Sequence, residues 1–240
     1  MSVIMKIEVN VSVKDVVLKQ ANGELTLVTP SKIVCIGRNY VDHIYELGND
    51  IPDDMVVFLK PNSAITDTLR SELDEMLHYE AELCFMVKDG QFSAVGVGLD
   101  MTKRELQGKL KKQGLPWERS KAFDGSALFS EFVPMTGDPQ DWCFQLSIDN
   151  VLTQLGHQQL MTYQPKAMFA AISEFMSLND GDIVMTGTPK GVGAVCTNTC
   201  FEISLWPNVP FEVFETVLSG EKSMTELCSQ AMLTKQWQSD

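Results

Sequence analysis

The sequence is short of basic residues and has no long apolar run. Of its 240 residues, 19 are Lys or Arg and 32 are Asp or Glu, which gives a formal net charge of −13. A surface of that sign repels nucleic acid and anionic membranes, so neither is expected as a partner. No apolar stretch approaches the length that a membrane span needs. The hydrophobic fraction of 44% is that of an ordinary globular protein.

Cysteine is scattered, and the N-terminal segment lacks the features of a secretion signal. Of the six cysteines, only Cys196 and Cys200 are close neighbours, and that pair lacks the further ligands of a zinc site. Cys35 and Cys84 stand in apolar runs, where thiols behave as small hydrophobic groups. Residues 6–13 alternate as a strand does and have no secretory apolar core. We therefore expect reduced thiols and a cytoplasmic location.

Many short apolar runs separated by turn residues predict a mostly β fold with some α-helix, built around a closed or rolled sheet. A hairpin is expected from residues 7–13 and 25–28, which are joined by an Asn-Gly turn. Further strands are predicted at 33–36, 55–59, 81–87, 94–99, 144–148 and 183–185.

The end signals of three segments predict helices. They are a helix opened by a capping box of Thr102 and Glu105 and ended by Gly114, a helix over 166–178 started by Pro165, and a C-terminal helix opened by Ser223 and Glu226.

Two glutamates in one predicted strand point to a metal site. Glu80 and Glu82 are two residues apart, so their side chains project from the same face. A half-exposed strand with both carboxylates in water is the simpler interpretation, but this face continues as Cys84 and Met86, which is more typical of a pocket wall. Asp100 ends the next apolar run and adds a third carboxylate. Three oxygen ligands favour Mg²⁺ or Mn²⁺ over zinc or copper.

A histidine and a glutamate form a candidate general base. His43 and Glu46 are three residues apart and adjacent on a helical face. A carboxylate beside an imidazole orients the ring and raises its basicity, as deprotonation of water requires. A surface pair that stabilises the helix by about 0.2–0.5 kcal/mol is the alternative, and the spacing by itself favours that alternative.

A loop rich in glycine and threonine follows the strand predicted at 183–185. Residues 186–193 lack the Gly-Lys-Ser/Thr order of a phosphate-binding loop. The loop can nevertheless offer backbone N–H and hydroxyl donors to a small carboxylate.

Together, these segments resemble the fumarylacetoacetate hydrolase family over residues 33–195. The resemblance rests on their joint occurrence and order: Gly37-Arg38-Asn39-Tyr40 with His43 and Glu46, Phe58-Leu59-Lys60-Pro61, His78-Tyr79-Glu80-Ala81-Glu82-Leu83, Asp100-Met101-Thr102 with Arg104 and Gln107, Gly114-Leu115-Pro116-Trp117 before Lys121-Ala122-Phe123-Asp124, and Gly181-Asp182-Ile183-Val184-Met185-Thr186-Gly187-Thr188-Pro189. It implies a mixed β-roll, a homodimer and a need for Mg²⁺ or Mn²⁺. A small hairpin region over 1–30 would precede a catalytic domain over 31–240, whose tail from about 201 is atypical of the family.

The resemblance also implies roles for individual residues. The metal ligands would be Glu80, Glu82 and Asp100, and Lys121 would stabilise a developing enolate. His43 and Glu46 would form a water-activating dyad on a mobile lid. The substrate-binding residues would be Arg38, Arg104, Gln107 and Thr188.

The expected reaction is hydrolytic cleavage of the C–C bond of an acylpyruvate, a 2,4-diketo acid, through a metal-stabilised pyruvate enolate. The alternatives on the same metal are decarboxylation or tautomerisation of oxaloacetate, and isomerisation or hydration of 2-hydroxyhepta-2,4-diene-1,7-dioate-like diacids in aromatic catabolism. Decarboxylation needs no activated water, only an electron sink. Loss of His43 is therefore expected to abolish hydrolysis and largely to spare decarboxylation or tautomerisation. A binding protein without turnover is the remaining alternative, and binding of a 2-keto acid without product would identify it.

Overall fold

The computed structural model describes residues 13–46, 52–135, 141–227 and 230–240, which form many short strands and a few helices. The strands are β1 (Val16–Lys19), β2 (Leu25–Val28), β3 (Lys32–Gly37), β4 (Val56–Pro61), β5 (Leu77–Tyr79), β6 (Ala81–Lys88), β7 (Gln91–Asp100), β8 (Thr102–Lys103), β9 (Ala127–Phe129), β10 (Val133–Pro134), β11 (Cys143–Ile148), β12 (Val151–His157), β13 (Ile183–Met185), β14 (Gly193–Ala194), β15 (Cys200–Trp206) and β16 (Leu233–Gln238). The helices are α1 (Val41–Glu46), α2 (Arg104–Lys112), α3 (Glu118–Lys121), α4 (Pro165–Phe175), α5 (Phe211–Leu218) and α6 (Met224–Leu227). The mostly β fold predicted from the sequence is confirmed.

A mixed sheet forms the centre of the molecule. Its strand order is β10-β7-β6-β13-β3-β4, and β9 pairs with the far end of β7. β13 runs parallel to β3, and the other neighbours are antiparallel. Residues 81–87 of β6 are buried on both faces, with Leu83 and Phe85 in one apolar cluster and Cys84 and Met86 in another. The interpretation of β6 as a half-exposed strand is therefore wrong, because the side chains on each of its two faces are buried in an apolar cluster.

A second sheet incorporates the C-terminal tail. Its order is β12-β11-β15-β16, with β16 antiparallel to β15 from Cys200 to Leu205. Beyond β16, the Asp240 carboxylate accepts a hydrogen bond of 2.8 Å from the backbone N–H of Ser71. The tail thus covers the edge of β15 and contacts the segment that precedes β5.

The predicted hairpin forms with a different first strand. β1 and β2 are antiparallel, with Lys19 opposite Leu25 next to the turn. In the turn, Gly23 has the positive φ of 85° that favours glycine. The sequence predicted the first strand at 7–13. Residues 7–12 lie outside the described ranges, and Val13 precedes the strand. Val16–Lys19 forms the strand instead because its edge also pairs with Phe132, whose carbonyl accepts a hydrogen bond of 2.8 Å from Lys19 N–H.

The N-terminus of α2 is not capped by the predicted Thr102–Glu105 box. Thr102 belongs to β8, and its hydroxyl donates to the Glu80 carboxylate (3.3 Å) instead of capping the helix. The carboxylate of Glu75, in the loop before β5, accepts hydrogen bonds from the backbone N–H groups of Glu105 (2.9 Å) and Leu106 (3.2 Å). The Glu75 carboxylate, which lies outside the helix, thus accepts the hydrogen bonds of two first-turn N–H groups that have no partner within the helix.

The other two predicted helix starts are confirmed. α4 begins at Pro165 and ends at Phe175, three residues before the predicted end. Ser223 and Glu226 form a reciprocal capping box at α6, with Ser223 N–H donating to Glu226 Oε2 (2.6 Å) and Glu226 N–H donating to Ser223 Oγ (3.3 Å). Within the described ranges, no helix is long and apolar enough to cross a bilayer.

His157 is a buried structural histidine at the end of β12. Its Nδ1 accepts a hydrogen bond from Gln159 N–H (3.0 Å), and its Nε2 lies 2.8 Å from the carbonyl of Val209, to which it donates. The rings of Phe211 and Phe214 from α5 pack against it. Burial lowers the pKa of His157 below its ordinary value of 6.5, so the folded protein holds the ring neutral.

We expect the free energy of unfolding to fall as the pH is lowered below about 6.5. There the unfolded chain binds a proton at His157 more readily than the folded protein does, whereas above that pH the ring is neutral in both states. Urea titrations at several pH values, with His157→Gln as the comparison, measure the effect. Because glutamine does not titrate, the variant should lose part of the pH dependence; an identical dependence in both proteins would contradict the assignment.

Candidate active site

Three buried carboxylates meet where β5, β6 and β7 converge. Glu80 lies between β5 and β6, Glu82 lies in β6, and Asp100 ends β7. The antiparallel register places Glu82 opposite Gly98, and Asp100 N–H donates to the Glu80 carbonyl (2.8 Å). One carboxylate oxygen from each of the three side chains lies within 4.8 Å of the other two. The structure thus brings together the three residues predicted as metal ligands.

Three cations neutralise two of these carboxylates. Lys121 Nζ lies 2.8 Å from both Glu80 Oε2 and Asp100 Oδ2, Lys60 Nζ lies 2.8 Å from Asp100 Oδ1, and Arg104 Nη2 donates to Glu80 Oε1 at 2.6 Å. Burial raises the pKa of Glu80, but Lys121 and Arg104 outweigh that effect and hold it well below its ordinary value. Burial also lowers the pKa of Lys121, but Asp100 and Glu80 outweigh it and raise the pKa above its ordinary value. Lys121 is therefore a permanently charged group at the cluster.

Glu82 is the least compensated of the three carboxylates. It accepts a hydrogen bond from the backbone N–H of Gly187 (2.7 Å). Burial, followed by the charges of Asp100 and Glu80, raises the pKa of Glu82 well above its ordinary value. A divalent cation among the three carboxylates would relieve this repulsion. The donor set consists only of carboxylate oxygens, which fits Mg²⁺ or Mn²⁺.

Lys60 is a site residue that was not predicted. It ends an apolar run in β4 and is completely buried, and its ammonium donates to the carbonyl of Lys121 as well as pairing with Asp100. A lysine inside an apolar strand was the available signal, because such a group requires a buried counterion. Its partner, however, is 40 residues further along the chain.

The loop after β13 holds the cluster from one side. Gly187 has φ of 94°, and a Cβ there would lie 2.9 Å from the side chain of Asn39, so this position suits glycine alone. The Thr188 hydroxyl donates to the Ala81 carbonyl (2.8 Å) and accepts from Gln154 Nε2 (2.8 Å). The N–H and hydroxyl donors of this loop therefore position β6, although Thr188 also lines the pocket.

His43 and Glu46 form the predicted pair. His43 Nδ1 lies 3.0 Å from Glu46 Oε2, and the backbone N–H of Gly191 donates to Glu46 Oε1 (2.9 Å). His43 is buried, whereas Glu46 is exposed. In the neutral ring, the contact with Glu46 favours the tautomer that has its proton on Nδ1 and leaves Nε2 as the acceptor. This pair is more than a surface interaction on a helix, because His43 lines the same pocket as the carboxylates.

A pocket of about 430 Å³, its open mouth included, lies above the cluster. Except for Glu46, the predicted site residues all line it: Arg38, His43, Glu80, Glu82, Asp100, Arg104, Gln107, Lys121 and Thr188. The remaining lining residues are Ile36, Gly37, Phe58, Lys111, Trp117 and Gly187.

Lys111 is a second cation that the sequence did not reveal. Its ammonium lies 4.6 Å from the centre of the Trp117 ring. Burial, followed by the charges of Arg38 and Arg104, lowers the pKa of Lys111 to about 8. A lysine among several on a charged helix carries no signal in the sequence, because only the packing of α2 shows which of them faces inwards.

The family model of the fumarylacetoacetate (FAA) hydrolase C-terminal domain matches residues 32–206. The chain belongs to the fumarylacetoacetate hydrolase family. The resemblance seen in the motifs is thereby confirmed, and so is the β-roll fold that it implied.

Members of the fumarylacetoacetate hydrolase family with different reactions resemble the chain. It is 40% identical over 190 residues to the oxaloacetate tautomerase YcgM of Escherichia coli (strain K12), a match that covers 71% of this chain and 86% of YcgM. The crystal structure of a fumarylpyruvate hydrolase from Pseudomonas aeruginosa in complex with Mn²⁺ and pyruvate superposes with a TM-score of 0.73 at 28% identity, covering 80% of this chain and 91% of the other. A structure from Oleispira antarctica, described as a fumarylacetoacetate isomerase/hydrolase, covers 93% of this chain and 99% of its own with a TM-score of 0.78 at 28% identity.

Proposed function

We propose that the protein interconverts the enol and keto forms of oxaloacetate with the help of Mg²⁺ or Mn²⁺. The observation that carries the proposal is the buried Glu80–Glu82–Asp100 cluster, neutralised by cations at the base of a pocket, in a chain 40% identical to an oxaloacetate tautomerase. This similarity favours the alternative drawn from the sequence over its main expectation, hydrolysis of an acylpyruvate.

The charges of the site suit a dianionic substrate. The three carboxylates are matched by three cations, Lys60, Arg104 and Lys121. A divalent ion held by the carboxylates would supply Lewis-acid stabilisation of negative charge. With the pocket cations Arg38 and Lys111, it would leave the site with a clear excess of positive charge. Oxaloacetate carries two negative charges, so the loaded site and this substrate are complementary.

Lys121 and His43 have separate roles in the proposed reaction. Tautomerisation moves one proton between the 2-oxygen and C3 and passes through an enolate. The charged ammonium of Lys121 stabilises the negative charge on the 2-oxygen. The Nε2 of His43, with Glu46 bound to the opposite nitrogen, carries the proton between C3 and the 2-oxygen, so the imidazole returns to its starting state after each turnover. This role replaces the expectation drawn from the sequence, in which His43 activates water alone and its loss spares tautomerisation.

The decisive experiment follows the two tautomers directly. The protein, loaded with Mg²⁺ or Mn²⁺, is mixed with enol-oxaloacetate, and the keto form is quantified by NMR against an EDTA-treated sample. Acetylpyruvate, fumarylpyruvate and an unsaturated keto diacid are assayed in parallel. We expect metal-dependent formation of keto-oxaloacetate well above the uncatalysed rate. Metal-dependent release of pyruvate and an acid from an acylpyruvate, without tautomerisation, would refute the proposal.

Replacement of His43 by alanine should slow tautomerisation about a hundredfold, because a positioned general base contributes on that scale. The measurement is kcat for oxaloacetate in the metal-loaded variant. Tyr45→Ala is the matched control, since Tyr45 lies on the same helix with its side chain exposed. If the His43 variant retains the wild-type kcat, the proton is moved by another group.

Hydrolysis of an acylpyruvate is the second candidate. The His43–Glu46 pair and the similarity to a fumarylpyruvate hydrolase favour it. It predicts that pyruvate and an acid appear together and that the His43 variant loses both. The homodimer and the place in aromatic catabolism stay predictions of the family resemblance. The cytoplasmic location stays a prediction from the cysteines and the N-terminal segment.

A further inference from the structure

Helix α2 lays a stripe of three polar side chains along the pocket. Arg104, Gln107 and Lys111 are spaced i, i+3 and i+7, which places them on one face of the helix, and all three line the pocket. Arg104 marks the end nearest the carboxylates, because it donates to Glu80 and to Gln107 (2.9 Å). Lys111 begins about 10 Å further along the helix axis. Its side chain also lines the pocket and contacts the Trp117 ring.

Lys111 is the cation of this stripe that lacks an anionic partner within the described part of the chain. Arg104 is bound to Glu80, whereas Lys111 contacts the face of Trp117. Burial, followed by the like charges of its pocket neighbours Arg38 and Arg104, lowers the pKa of Lys111. A half-buried ammonium beside like charges is unfavourable unless an anion joins it. The pocket therefore has two different ends. The carboxylate cluster at one end attracts a metal cation, and Lys111 at the other end attracts an anion.

We propose that Lys111 binds the second carboxylate of a 2-keto diacid. This inference rests on the proposed function, in which the 2-oxygen of oxaloacetate lies at Lys121. The adjacent 1-carboxylate then lies at the same end of the pocket. The carboxylate at C4 then extends from the cluster along α2, towards the Lys111 ammonium. Lys111 is on this basis the residue that selects oxaloacetate over a 2-keto monoacid with the same head group.

Calorimetric titration of the Mn²⁺-loaded protein with oxaloacetate and with 2-oxobutanoate tests this selection. The two acids share the 2-keto acid head, and only oxaloacetate has the second carboxylate. We expect Lys111→Met to weaken oxaloacetate binding by about tenfold to a hundredfold, the range for a charge-assisted hydrogen bond, and to leave 2-oxobutanoate binding unchanged. KM for oxaloacetate should rise by a similar factor, with kcat changed far less.

Two further variants distinguish a specific role of the Lys111 charge from two general effects, a change in the net charge of α2 and a change in side-chain packing. Lys112→Met removes the same charge from the exposed neighbouring position and should leave both affinities unchanged. Lys111→Arg keeps the charge and should retain most of the preference for the diacid. If Lys111→Met weakens both acids equally, weakens neither, or is matched by Lys112→Met, the assignment of Lys111 is wrong.

The failure of this inference is distinguishable from failure of the proposed function. If the wild-type protein does not tautomerise oxaloacetate, the proposed function fails, while the calorimetric preference for the diacid still tests Lys111. If the wild-type protein tautomerises oxaloacetate and Lys111→Met leaves the preference intact, only the role of Lys111 is refuted.

Discussion

Replacement of Glu82 by glutamine should abolish metal-dependent turnover and remove the stabilisation that Mn²⁺ gives to the protein. The variant loses one of three anionic oxygen donors, while its amide oxygen still accepts the hydrogen bond from Gly187. For the wild type, Mn²⁺ at a hundred times its Kd should add about 2.7 kcal/mol to the free energy of unfolding. In a domain of this size, that gain raises Tm by about 5–10 °C.

Without metal, the same variant should be at least as stable as the wild type. Glu82 is buried beside Asp100 and Glu80, and the substitution removes that repulsion. Thermal unfolding with EDTA and with Mn²⁺ measures both effects, and Glu212→Gln, at an exposed position on α5, is the control. A Glu82 variant that is still stabilised by Mn²⁺ as strongly as the wild type would show that the ion binds elsewhere.

Replacement of Lys121 by methionine should lower kcat about a thousandfold while the protein still binds metal. In the proposed reaction the ammonium stabilises the enolate, and removal of one such preorganised group costs about 10²–10³ in rate. Metal binding should be retained or tightened, because Lys121 no longer competes for Glu80 and Asp100. This combination distinguishes Lys121 from the metal ligands, whose loss removes binding and turnover together.

The metal-free Lys121 variant should be less stable than the wild type by about 3 kcal/mol, the lower end of the range for a broken buried ion pair. Glu80 and Asp100 each lose one cation but keep Arg104 and Lys60. Added Mn²⁺ should restore much of this loss. Lys166→Met, at an exposed position on α4, is the control for a lost surface charge. Wild-type kcat in the loaded Lys121 variant would exclude the ammonium from the reaction.

The carboxylate cluster was predictable because its geometry is local to two strands. Residues two apart in β6 share a face, and the end of β7 lies opposite the start of β6 by the antiparallel register. The strands themselves followed from short apolar runs. These patterns depend on neighbours in the chain, where periodicity is informative.

The supporting cations and the start of α2 were not predictable in the same way. Lys60 reaches Asp100 and Lys121 only after β4 has joined the sheet. Thr102 had the correct spacing for a capping box, but the formation of β8 directed its hydroxyl to Glu80. Tertiary contacts decided each of these positions, and a capping motif or a buried lysine in a sequence does not specify them.

Glu75 connects the loop before β5 to the helix that carries the proposed substrate-binding residues. Its carboxylate fixes the first turn of α2 from a loop outside the pocket, and α2 carries Arg104, Gln107 and Lys111. A change in that loop would tilt or slide the whole stripe relative to the metal cluster, with no pocket residue altered. Relatives with identical pocket residues could therefore diverge in the acids that they accept through substitutions at a half-exposed acid.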